Sequence, residues 1–116
     1  MEHLEHLINP LSLSGIVFFI VGFIMYKFPP KKINSLYGYR TATSMKNQQT
    51  WDFAQVYSAK KMMVIGFIML LISINFIVID FSANQVIIIG LILLLFSVLY
   101  LFLKTENAIR TNSKDE

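Results

Sequence analysis

Gly38, Tyr39, Arg40 and Thr41 stand together in residues 34–58, the one long stretch of the chain that is neither strongly apolar nor terminal. The quartet joins a flexible backbone to an aromatic face, a planar guanidinium and a hydroxyl. Arginine pairs with carboxylate or phosphate through two parallel hydrogen bonds, and helix N-termini add free amides and partial positive charge. A helix is expected just downstream, with Ser44 as its N-cap, because no Gly or Pro follows until Gly66. The chemistry on offer is anion recognition, the anion being a lipid phosphate, a peptide carboxylate or the chain's own Asp52. The plainer reading gives Arg40 only the task of fastening the loop to the helix or to phospholipid. On the helix itself Asn47, Trp51, Ala54 and Ser58 recur at i, i+4, i+7 and i+11, a single stripe. Core packing or anchoring at the headgroup level accounts for Trp51 and Ala54 as well as recognition does.

Other chemistries are poorly served. The chain has no cysteine, which excludes thiolate nucleophiles, disulfides and zinc–thiolate sites. His3 and His6 would give half a metal site at most, and a solvated amphipathic start explains them more simply. No metal and no cofactor is expected. A membrane enzyme would have to work with Arg40, Asp52 and Tyr39, without a Cys, a His or a nucleophile pair nearby. A small transporter meets a similar poverty: no Asp, Glu, His, Lys or Arg falls mid-span, and Asn75 and Ser73 are the main polar groups there. Enzyme or transporter is thus the alternative to a non-enzymatic protein that binds a partner.

Positioning these residues falls to membrane helices. Of the 116 residues 55% are hydrophobic and 15% charged, more apolar surface than a soluble core of this size can hide. The expectation is an all-α integral membrane protein, a single membrane domain over 1–116. Apolar runs at 11–28, 62–79 and 86–103 each rise about 27 Å as helices, close to the roughly 30 Å of the hydrocarbon layer. Pro29 and Pro30 end the first run. The polar loop and helix occupy 29–61, a turn 80–85, and a C-terminal tail 104–116. A helix from Ser44 through residue 79 would be about 54 Å long, so its first part is interfacial or cytoplasmic and leads into the second span. Gly15 and Gly22, Gly66 and Ser73, and Gly90 and Ser97 are each seven apart, a spacing that puts small faces where spans meet. Asn75 is expected to find its hydrogen bond within the bundle.

Charge sets the orientation. All 10 Lys and Arg residues lie in the stretch 27–61 or after residue 103, and cytoplasmic segments hold the excess of such residues. The protein is therefore expected to be multi-pass in the cell membrane, N-terminus outside, polar loop and C-terminus cytoplasmic. Residues 1–10 have no Lys or Arg and so lack the basic start of a cleavable signal peptide; the first span is expected to be retained. The net charge of +3 beside so much lipid-directed sequence argues against nucleic acid as a direct partner. The bilayer is the first partner, and a homo-oligomer is one way for three short spans to enclose a site.

The pattern N-x3-G-Y-R-T-x2-S-x2-N-x3-W-x2-A, here Asn34, Gly38, Tyr39, Arg40, Thr41, Ser44, Asn47, Trp51 and Ala54, resembles the signature of the SdpI immunity family. The context is similar as well: the signature follows a first span with its Pro-Pro end and precedes two further spans, so the likeness covers nearly the whole chain in a short, three-span form. The resemblance implies a multi-spanning bacterial membrane protein with these nine residues as its binding or signature positions. The family's founding member protects its producer against a secreted, membrane-disrupting toxin peptide. It also signals, by holding a transcriptional repressor at the membrane when toxin is bound. Toxin immunity and signal transduction, with a toxin peptide and a soluble repressor as partners, are what the resemblance implies for this chain.

Overall fold

A computed structural model of the chain describes residues 8–114; His3 and His6 lie outside the described residues. The first helix, α1 (Pro10–Lys27), opens on a reciprocal cap. The Asn9 side chain accepts from the Leu11 and Ser12 amides while Ser12 returns a bond to the Asn9 backbone, and Pro10 occupies the first turn, where no amide is missed. Phe28 caps the C-terminal end, and Pro29-Pro30 prevents continuation.

The second helix, α2 (Gln48–Val78), runs unbroken for 31 residues, about 46 Å at 1.5 Å per residue. It carries both the interfacial stretch and the second span. Its N-cap is Asn47 and not Ser44. Asn47 Oδ1 accepts the Thr50 amide at 2.8 Å and Thr50 Oγ1 accepts the Asn47 amide at 3.3 Å, whereas the Ser44 hydroxyl is spent inside the preceding turn.

After the short 79–82 connection, α3 (Ala83–Lys114) begins with Ser82 and Gln85 capping one another. The segment read as a tail from residue 104 is helical through Lys114. No Gly or Pro follows Gly90 to stop it, and Thr105, Glu106 and Ile109 bury an inward stripe beyond the apolar run.

The three helices are each long and apolar enough to cross a membrane, and no strand occurs among the described residues. α1 and α2 form the tight pair, because glycine lets their backbones touch. A Cβ on Gly15 would stand 2.8 Å from the Gly66 carbonyl, one on Gly66 would stand 2.6 Å from that of Gly15, and one on Gly22 would stand 2.8 Å from that of Ala59. α3 lies more loosely, with Gly90 near Pro10 and Leu11. Ser97 borders an apolar groove of about 300 Å³ between α2 and α3. Ser73 is buried and bonds the Leu70 carbonyl of its own helix. The expected meeting of small faces thus holds for Gly15 with Gly66 of α1 and α2, whereas Gly90 packs on Pro10 and Leu11 and Ser97 borders the groove.

Asn75 is exposed and donates to the Leu71 and Ile72 carbonyls at 3.3 Å each; it bonds its own helix rather than bridging the bundle. At the opposite end of the helices, Lys27, Lys60, Lys61 and Lys104 lie over the rings of Phe23, Tyr26, Tyr57 and Tyr100 at 5.6–6.0 Å. Such a belt of aromatic rings, three of them tyrosines, under snorkelling lysines suits a headgroup boundary.

Candidate functional site

The loop 28–47 folds back on the start of α2, and the fastening begins with Trp51. Its side chain is fully buried, and Nε1 donates to the Pro30 carbonyl at 2.7 Å, tying α2 to the chain as it leaves α1. One turn on, buried Gln55 grips the backbone of Tyr39 from both ends. Its Oε1 accepts the Tyr39 N–H at 2.7 Å, and its Nε2 donates to the Tyr39 carbonyl at 2.9 Å.

That grip explains Gly38. Its φ of +112° is one that side chains avoid, and a Cβ would lie 2.5 Å from Gln55 Oε1 and 2.8 Å from Pro30 Cγ. Thr41 and Ser44 then close a turn on one another: Ser44 Oγ accepts the Thr41 amide at 2.8 Å, and Thr41 Oγ1 accepts the Ser44 amide at 3.1 Å. Thr50 Oγ1 reaches the Ser44 carbonyl at 3.2 Å, joining that turn to α2. Upstream, Asn34 holds its own turn by accepting from the Leu36 and Tyr37 amides, and the Tyr37 hydroxyl donates to the Phe28 carbonyl at 2.7 Å. Ala54 and Ser58 are fully buried, while Asn47 is exposed at the cap.

Within this clasp Arg40 stands apart. It is exposed and makes no hydrogen bond or ion pair with the described residues. Asp52, its expected internal partner, accepts instead from Gln48 Nε2 at 2.7 Å, and the same amide also reaches the Lys31 carbonyl. Fastening of the loop is therefore done by Trp51, Gln55, Thr41 and Ser44, and Arg40 is presented outward. Tyr39 turns the other way. Its hydroxyl lies between the Phe102 carbonyl, at 3.4 Å, and the Glu106 carboxyl group. Burial first, and the Glu106 charge second, push its phenol above the ordinary value, so it is a neutral hydrogen-bond donor at physiological pH.

Seven of the nine signature residues thus build or cap the clasp, Asn34 shapes the loop leading into it, and Arg40 is displayed by it. Gln55 and Glu106 escaped the sequence reading, as did Thr50 and Tyr37. Gln55 lies four residues after Trp51, hence on the same face, a spacing that could have revealed it. Glu106 was hidden by the assignment of its segment to a tail. Among the described residues no group of three or more His, Asp or Glu side chains could hold a metal ion. Chemically, the arrangement is a hydrogen-bonded scaffold with an exposed planar cation that has no partner among the described residues.

A family model described as the SdpI/YfhL protein family matches residues 31–104, from the start of the clasp to the end of the apolar part of α3. The uncharacterised protein YfhL of Bacillus subtilis (strain 168) is 44% identical over 57 residues, 49% of this chain and 52% of that protein. The alignment therefore spans about half the length of this curated relative. No solved structure matches significantly.

Proposed function

The chain belongs to the SdpI/YfhL protein family, and from that premise we propose that it is a non-enzymatic immunity and signalling protein of the bacterial cell membrane. In this reading it protects the cell against a secreted, membrane-active toxin peptide and couples that protection to capture of a soluble transcriptional repressor at the clasp. The clasp and the C-terminus face the cytoplasm, the N-terminus the outside.

The observation that supports it best is the isolation of Arg40. A guanidinium with no partner among the described residues, held on a backbone locked by Gln55, is preorganised for a bidentate carboxylate or phosphate on another molecule. The test is survival of cells challenged with an envelope-disrupting peptide while expressing wild type, Arg40→Lys or Arg40→Ala, with the membrane abundance of each measured. Lysine keeps the charge and loses the planar fork, which weakens such a contact by about 1.5–3 kcal/mol, roughly ten- to a hundredfold. Arg40→Lys should therefore fail to protect at undiminished abundance. Full protection by Arg40→Lys would sink the recognition role.

A further inference from the structure

A second polar locus lies on the other side of Tyr39. Loop residues 41–43 and one face of α3 enclose a groove of about 620 Å³, with Phe102, Glu106 and Arg110 following one another along the helix. Glu106 is 7% exposed and is the one buried charged side chain among the described residues. Its Oε2 has no hydrogen-bond partner, nor has Oγ1 of fully buried Thr105 beside it. The Tyr39 hydroxyl has one proton to give and lies between this carboxyl group and the Phe102 carbonyl. A carboxylate withdrawn from water with an unpaired oxygen calls for a cationic N–H donor.

Arg110 is the natural candidate, because Glu followed by Arg at i+4 is a favourable helix pair. Yet Arg110 is exposed and makes no ion pair with the described residues. The groove therefore sets an acidic and a basic side chain side by side, neither of them in an ion pair with the described residues. Depth adds the third element. Lys104 over the Tyr100 ring places the headgroup boundary at this level of α3. Phe102 and Leu103, 44% and 55% exposed, lie toward the hydrocarbon side of the groove. Arg110 lies one turn beyond Glu106 on the same face and lines the same groove.

We propose that this groove seats the headgroup of an amine-bearing zwitterionic phospholipid, with the ammonium on Glu106, the phosphate on Arg110 and an acyl chain along Phe102 and Leu103. A basic peptide would satisfy Glu106 but meet repulsion from Arg110. A bare phosphate would suit Arg110 but be repelled by Glu106. Only a zwitterion with an apolar tail matches all three zones, and the site is independent of Arg40.

The test uses the purified full chain in detergent and measures, by native mass spectrometry, the binding of dihexanoyl phosphatidylethanolamine and of dihexanoyl phosphatidylcholine. The two share phosphate and tails, but the choline lipid has no N–H donor. The ethanolamine lipid should bind roughly tenfold more tightly, as one charge-assisted hydrogen bond predicts. Glu106→Gln should abolish the preference, whereas Arg110→Gln should weaken both lipids and keep it. Equal affinity of the wild type for the two lipids overturns the proposal, whatever becomes of the variants' folding. Preference surviving in Glu106→Gln overturns it too, as does a short oligolysine peptide outcompeting the ethanolamine lipid, which would make the groove a site for a basic protein segment.

Discussion

Gln55 shows how much of the clasp rests on one neutral amide. Both its ends are used on the Tyr39 backbone, and a carboxylate of the same shape could accept from the Tyr39 N–H but could not donate to the carbonyl. Gln55→Glu should therefore destabilise the protein by about 1–3 kcal/mol, the cost of a buried carboxylate oxygen facing the Tyr39 carbonyl with no hydrogen bond between them, the Ser44 hydroxyl at 3.1 Å being that carbonyl's other donor, and should melt several degrees below wild type in the same detergent. An unchanged melting curve would mean that the loop is held elsewhere. The residues doing this work were only partly legible in the sequence. Trp51 announced itself as a lone indole on a stripe of small and polar residues, and Gly38 as a glycine beside an aromatic. Ser44 misled, because a serine before a helix-compatible run is a good N-cap in isolation, and only the fold shows its hydroxyl already occupied by Thr41. Arg40 was read as competing between fastening and recognition; the geometry leaves it no fastening partner among the described residues.

At the scale of elements, the α1–α2 pair depends on backbone approach, and two effects of opposite sign meet when a methyl group is added to it. Gly→Ala in a helix interior gains up to about 1 kcal/mol in propensity, while overpacking a tight contact costs about 1–3 kcal/mol. At Gly66 the new Cβ would meet backbone, 2.6 Å from the Gly15 carbonyl and 2.7 Å from the Phe19 nitrogen, so the helices must separate. At Gly90 the nearest atom is 3.2 Å away. Gly66→Ala should consequently lower the melting temperature clearly and Gly90→Ala should leave it nearly unchanged; equal effects would contradict the seam. The spans themselves were readable because apolar runs of this length have few alternatives. The end of α1 at Pro29-Pro30 was readable too, but the start of α2 and the end of α3 were not. Polar residues on α2 before the span and on α3 after it are buried by the returning loop, a tertiary effect with no periodic signal of its own strong enough to mark it.

For the whole molecule the decisive property is sidedness. The principal-axis length of 53 Å exceeds a hydrocarbon layer of roughly 30 Å, so the clasp stands in and beyond one headgroup region while the 79–82 connection lies toward the other. Lysines over aromatic rings collect at the clasp end, and the sequence places every cationic residue on that side of a three-span arrangement. A repressor can be captured only by a clasp that faces the cytoplasm, so topology bears on function before any ligand is known. The most direct measurement is side-selective labelling in intact cells of single cysteines replacing Ala42, exposed at the clasp, and Asn84, exposed at the start of α3. A membrane-impermeant maleimide should label Asn84→Cys at once and Ala42→Cys only after permeabilisation. Labelling of both positions from outside would contradict the three-span arrangement, and labelling of Ala42→Cys alone would put the clasp outside the cell and end its proposed role in holding a repressor.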